Sequence, residues 1–374
     1  MRFFSAVLIV AMVRGCGGGG GPAEDADADD AFEDPAGEAD ATNDAGHDPD
    51  AQADADPAEE MESECPEVCP PDGARRCDGQ TIQACAPDGS GCASWSDVVT
   101  CSDELGACND LHGMALCCPP PAAGGAFTLP AHTIWVTWDF GAAAASTIEA
   151  DIRMENDPGD TVGLYLSPMN GTIDGTTFYL GIQTNLLVTD GGWIGNGVIF
   201  SRWDSQDPAD IRTAPGGYAE VGSSEGLFIS TRIAYPWTTG SYRMRLQRAE
   251  PGGDGDWFDL YVVDGATGVE TFAGGLRFSR RDPAVPASIA PSFTTFTEVY
   301  YNATDYSQVP LWTIAMMAYA DGALASSASS EYPAWPTAEF PNADCWYDEA
   351  ADLVHLHFGG GTSRCNPAGT LFRR

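Results

Sequence analysis

After three consecutive prolines, Pro119 to Pro121, the chain is written in short words that alternate apolar and polar residues, and this alternation restricts the fold more than any other feature. Segments such as HTIWVTWDF, STIEADIRM, TVGLYLSP, FYLGIQTN, GVIFSRWD, GLFISTRI, SYRMRLQR and WFDLYVVDG are rich in Thr, Val, Tyr, Phe and Trp, and Gly, Asp, Asn and Pro separate them. Successive side chains of a strand point to opposite faces, so each word buries one face and wets the other. Many such strands with turn residues between them predict an all-β domain over residues 119–374, a jelly-roll or concanavalin-like β-sandwich. Only LWTIAMMAYADGALAS reads as a short helix within it.

Nine of the twelve cysteines crowd into residues 65–118, at Cys65, Cys69, Cys77, Cys85, Cys92, Cys101, Cys108, Cys117 and Cys118. Their near-even spacing, with Asp-Gly and Gly-Ser turns between, predicts a small loop-rich module stapled by disulfides. Zinc is the rival, but the segment has no CxxC pair. An odd number leaves one cysteine over, and the spacing does not say which. Cys345 and Cys365 stand apart near the chain's end, where a bridge between them is expected.

The formal charge of -38 is unevenly spread: between Ala23 and Glu64 there are 18 Asp and Glu and no Arg. A segment this acidic, with few apolar residues, cannot fold alone, so residues 17–64 read as a disordered tether with a mean reach of roughly 40 Å. All 17 cations are Arg, which removes lysine chemistry, and no basic stripe exists for phosphate contacts; nucleic acid is not an expected partner. No cofactor is expected either. DADADD offers alternating carboxylates to a structural calcium ion but lacks the fixed Gly and closing Glu of an EF-hand loop.

Arg2 followed by the apolar run Phe3 to Val13 has the form of an export signal, too short to span a bilayer. The ending Val13-Arg14-Gly15-Cys16 resembles the lipobox of bacterial lipoproteins, although Arg14 stands where a small or apolar residue is usual. That resemblance implies cleavage within residues 1–16, lipid attachment at Cys16, membrane contact through the anchor, and an outer-membrane or cell-surface address, because Gly17 is not the Asp associated with inner-membrane retention.

From Phe178 onward, FYLGIQTN, VIFSRWD, SSEG, YPWTTGSYRMRLQR and SFTTFTEVYYN resemble, in order and approximate spacing, the bacterial domain of unknown function 3472 family. The pattern covers roughly Ile148 to Asn302. It falls on Gly181, Gln183, Phe200, Ser201, Trp203, Asp204, Glu225, Gly226, Trp237, Gly240, Tyr242 and Glu298, and departs from the family where Leu227 and Phe228 replace a run of glycines. The resemblance implies an exported β-sandwich and no particular reaction.

Within that pattern, Trp203, Asp204, Glu225, Trp237 and Glu298 are the candidate ligand-binding residues. Indoles stack on the apolar face of a pyranose while carboxylates accept its hydroxyl protons. The bland alternative places the indoles in the core. Glu149, Asp151 and Glu155 in EADIRME have the spacing of a concanavalin-type glycosidase strand, in which one carboxylate would act as nucleophile and the other as acid/base. His355 and His357 in LVHLHFGG share a strand face as metal-binding pairs do, but no third ligand is evident beside them, Asp352 being out of phase, so an exposed or hydrogen-bonded strand pair is expected. The leading expectation is a tethered surface lipoprotein whose sandwich binds carbohydrate or another cell-envelope polymer. The alternatives are a glycoside hydrolase using Glu149 and Glu155, and a structural or adhesive envelope protein.

Overall fold

In Thr147–Met154 the alternation is complete: Ile148, Ala150, Ile152 and Met154 are buried, and Glu149, Asp151 and Arg153 point the other way. The same rule repeated along the chain builds two large antiparallel sheets whose apolar faces meet in one core. The computed structural model describes residues 69, 74–87, 89, 91–102, 106–111, 114–141, 144–188, 192–223, 226–252, 255–334 and 338–373. Cys16, the acidic segment 17–64 and Glu225 lie outside the described residues.

The first sheet runs, edge to edge, Tyr218–Gly222, Phe228–Ala234, Gly197–Trp203, Thr176–Gln183, Gly163–Ile173, Ser292–Tyr301, Ala131–Asp139, Ser327–Glu331 and Leu371–Arg373. The second runs Ile211–Thr213, Glu270–Ser279, Gly255–Asp264, Gly240–Gly252, Thr147–Met154, Trp312–Ala320, Leu353–Phe358 and Ala343–Asp348, with Ala323–Leu324 paired to Trp312–Ala320. Neighbours in space are often far apart in sequence, and the two sheets share one apolar core, the expected β-sandwich. Trp138, Phe178, Phe200, Phe258, Phe278 and Trp312 fill the space between the sheets. Gly181 has a steric reason to be glycine: a Cβ there would lie 2.0 Å from the carbonyl oxygen of Leu166.

Trp312–Ala320 is a strand, correcting the helix expected there. Every residue from Trp312 to Ala318 is buried, the outward Thr313 and Ala315 between the side chains of the two flanking strands, so its apolar run has no period to read. The turn that ends it was written in the sequence: Asp321 and Gly322 both take positive φ, 45° and 78°, forming the two-residue Asp-Gly connection of a tight hairpin.

The cysteine-rich residues form a three-stranded sheet, Arg75–Asp78, Thr81–Pro87 and Ala93–Thr100, and a two-stranded one, Ala107–Leu111 with Met114–Cys118. Disulfides join Cys69 to Cys85, Cys77 to Cys108 and Cys101 to Cys117. Cys118 leaves this set and bonds Cys365, which corrects the expected Cys345–Cys365 bridge. Cys345 is a free, fully buried thiol. The reason is strand alternation: Cys345 points into the core, whereas the segment carrying Cys365 packs beside its neighbour Asp344, whose Oδ1 accepts the Cys365 N–H. The connection between module and sandwich is also pinned by Asn342, whose Oδ1 accepts the Ala122 N–H at 2.7 Å and whose amide donates to the Ala122 carbonyl at 3.0 Å.

A buried ion pair fastens the loop after Glu270–Ser279. Asp256, 2% exposed, accepts from Arg280 Nη2 at 2.6 Å and from the Ala287 N–H at 2.6 Å. The Arg280 hydrogen bond, reinforced by that of Ala287, holds its carboxyl below the usual carboxylate range. A depressed native pKa stabilises the fold above the unfolded value, about 3.9, and the contribution is lost as pH falls through the native value. Asp256→Asn is therefore expected to cost about 2–3 kcal/mol at neutral pH. Urea midpoints measured from pH 7 to 2 should show the variant losing less stability on acidification than the parent, and parallel curves would refute the assignment.

Candidate functional site

The residues nominated for sugar binding do not form one site. Trp237 is 2% exposed and lies in the core, stacked on Trp312 with ring centroids 5.5 Å apart and planes 12° from parallel. Its indole N–H donates to the Gln183 carbonyl. No ligand can stack there, which corrects its nomination. Glu298, 6% exposed, faces outward from the first sheet but is engaged: its Oε2 lies 3.2 Å from His132 Nε2. Trp135 Nε1–H donates to His132 Nδ1, so the ring proton sits on Nε2 and is directed at the carboxylate. Trp203 is half-buried at 5.0 Å from the Tyr179 ring, and exposed Asp204 takes a positive φ of 62° at the strand's end. Of the five, Trp203 and Asp204 alone are both described and not buried.

Several residues of the words quoted above have structural tasks. The Tyr242 hydroxyl accepts the Thr238 N–H and donates to the Thr238 carbonyl, closing the YPWTTGSY corner, and the Ser201 hydroxyl bonds that of Ser230.

The outer face of the second sheet is different. A groove of about 690 Å³ crosses it, with walls that include Glu149, Asp151, Arg153, Tyr242, Arg243, Arg245 and Glu270. These positions follow from register: Asp151 pairs with Arg243 and Glu149 with Arg245 across adjacent strands, so all four side chains project on one face. Arg243 grips Asp151 in two bonds, Nε to Oδ1 at 2.5 Å and Nη2 to Oδ2 at 2.7 Å, and Arg245 Nη2 reaches Glu270 at 2.6 Å. The Asp151 hydrogen bond pushes the Arg243 guanidinium above its ordinary value.

Glu149 and Glu155 are not brought together. The ladder of Thr147–Met154 runs without a register shift against both neighbours, which puts the two residues roughly 20 Å apart along the chain direction, against about 5 Å for a retaining pair. Asp151 is held by Arg243, and Glu155 by Arg153 Nη2 at 2.7 Å. The glycosidase pairing is corrected on these grounds.

Glu155 instead meets the histidines. One ligand atom from each of Glu155, His355 and His357 lies within 4.8 Å of the other two, which supplies the third group that the sequence did not show beside the His pair. Glu155 continues the outward phase of Glu149, Asp151 and Arg153, and its N–H donates to the Thr313 carbonyl. Thr313 pairs with His357, and Ala315 lies between Arg153 and His355. These small side chains on the intervening strand leave room for Glu155 and the imidazoles to approach across two strand spacings, about 10 Å at the backbone. Trp346 walls the cluster, stacked on His355 at 4.8 Å and edge-on to His357 at 4.4 Å. Burial lowers the pKa of both histidines, that of His357 to about 4, so both rings are neutral at neutral pH. Because Arg153 and Ala315 also line the groove, groove and cluster adjoin on the same face.

No protein-family model and no curated protein matches the chain. Among solved structures, a crystal structure of scytalido-glutamic peptidase with a peptide-based transition-state analogue matches at a TM-score of 0.34 and 10% identity, covering 60% of this chain and 98% of that one. A second, with a transition-state analogue inhibitor, gives 0.35 and 9%, covering 62% and 100%. Similarity at that level assigns neither activity nor site residues to this chain.

Proposed function

We propose that this chain is an exported lipoprotein, anchored through Cys16 and held off the membrane by its acidic segment, whose sandwich binds an extracellular polymer, carbohydrate or another component of the cell envelope. The observation that carries the binding reading is the groove on the outer face of the second sheet. Its volume, about 690 Å³, falls in the range of roughly 300–1,000 Å³ usual for ligand sites. Three arginines, Arg153, Arg243 and Arg245, face four carboxylates, Glu149, Asp151, Asp264 and Glu270, so the walls carry donors and acceptors in near balance. Balanced walls suit a neutral, hydroxyl-rich chain better than a polyanion, which would require a surplus of cations.

The test is a binding panel of neutral and anionic polysaccharides against the full chain, with Arg243→Ala and Glu149→Gln as variants. Neutral polymer should bind, each substitution should weaken binding by about tenfold, and thermal stability should hardly change, because the partly exposed Arg243–Asp151 pair contributes about 0–1 kcal/mol and the Glu149→Gln change is nearly isosteric. Binding to no polymer, or binding indifferent to both substitutions, would remove the reading and leave a structural or adhesive role.

A further inference from the structure

We infer that Glu155, His355 and His357 form a binding site for a divalent first-row transition metal, zinc being the ion its donors suit best. Two imidazoles and one carboxylate are a common donor set for such ions, and three protein ligands leave a further position open for solvent or a ligand. The inference stands independently of polymer binding in the groove.

Three observations support it. The three donor atoms converge from two non-adjacent strands to within 4.8 Å of one another. In detail, His355 Nδ1 lies 3.7 Å from Glu155 Oε1, and His357 Nε2 lies 3.8 Å from Glu155 Oε2. At zinc bond lengths of about 2.0–2.2 Å tetrahedral donors stand roughly 3.3–3.6 Å apart, so side-chain shifts that close the widest separation by about 1–1.5 Å bring the three to coordinating distance. The His355 side chain is 8% exposed, yet neither of its ring nitrogens has a hydrogen-bond partner among the described residues, a costly arrangement for a buried polar group. A metal on Nδ1 removes half of that deficit. The other half has a partner in waiting, since Asp348 Oδ2 lies 4.0 Å from Nε2 on the far side of the ring, where it can hold the N–H and fix the tautomer that presents Nδ1.

The surrounding charges fit the same picture. Arg153 Nη2 bonds Glu155 Oε1 at 2.7 Å, positioning the carboxylate and leaving Oε2 to face His357. Trp346 covers the imidazoles on one side, while the 24% exposure of His357 and 29% of Glu155 leave an opening to solvent. An ion bound here would have its open coordination position at that mouth, beside Arg153 and the end of the groove.

Titration of the full-length chain, carrying no affinity tag, with Zn²⁺ provides the test, because the acidic segment's weak carboxylate sites can be separated by substitution. The parent should bind one Zn²⁺ tightly, and His355→Ala and His357→Gln should each weaken that event by about 100-fold, while Glu155→Gln weakens it by about tenfold. Co²⁺ on the parent should give visible absorption of the intensity expected for mixed nitrogen and oxygen ligation at low coordination number. Should His355→Ala fail to fold, the more exposed His357→Gln and the Co²⁺ spectrum decide. Equal Zn²⁺ uptake by the parent and the His357→Gln variant, or a weak spectrum of octahedral all-oxygen type, would overturn the assignment.

Discussion

Replacing Cys118 and Cys365 together by serine is expected to lower stability by about 5 kcal/mol, close to the whole margin of many domains. The bridge joins residues 247 apart in sequence and so closes nearly the entire sandwich into one covalent ring. If a disulfide acts mainly by restricting the unfolded chain, its effect grows with the logarithm of the ring it closes. The Cys101–Cys117 bridge, at a separation of 16, supplies the control, with an expected cost of about 3 kcal/mol for its own double serine variant. Guanidinium unfolding under non-reducing conditions measures both. A difference of roughly 2 kcal/mol in favour of the long bridge, with a steeper denaturant dependence once it is removed, supports unfolded-state restriction. Equal losses would show that local contacts around each bridge set its value. Cys345 gives an independent readout, since burial pushes its thiol well above the ordinary value and should protect it from alkylation until the core opens.

That bridge also marks the boundary of what the sequence could show. Alternation was legible wherever a strand has one wet face, as in Thr147–Met154, and there it located outward carboxylates and inward apolar residues correctly. It failed for Trp312–Ala320, which is buried on both faces. It could count an odd cysteine in the module but could not see that Cys118 reaches a loop near the chain's end. The candidate metal cluster was half visible for the same reason. Glu155 and the His355–His357 pair were each singled out by strand phase, but their meeting depends on sheet order, with Trp312–Ala320 lying between Thr147–Met154 and Leu353–Phe358. No local pattern encodes that order. The groove arginines, Arg243 and Arg245, went unnoticed because a charged residue on an alternating strand looks like ordinary solvated surface; their register opposite Asp151 and Glu149 is what makes them walls.

Trp237 is the opposite case, a residue whose type suggests ligand stacking while its position in the core decides its role, and its substitution should be costlier than that of Asp256. Trp237→Ala is expected to cost about 3–5 kcal/mol, the range for removing a large buried aromatic side chain. Three losses combine there: the buried indole area, the stack on Trp312, and the hydrogen bond to the Gln183 carbonyl. Trp312 sits on the central strand that separates Glu155 from the histidines, so a cavity beside it is also placed to loosen that strand. Trp237→Phe should recover part of the loss by keeping an aromatic ring against Trp312 while still lacking the donor. Denaturant midpoints establish the stability ranking of parent, Phe and Ala. Polymer binding measured well below the variants' unfolding transitions separates the two roles: affinity unchanged in Trp237→Phe is the outcome required of a core residue. A tenfold loss of affinity in Trp237→Phe without a matching loss of stability would return the indole to the ligand site and contradict its burial.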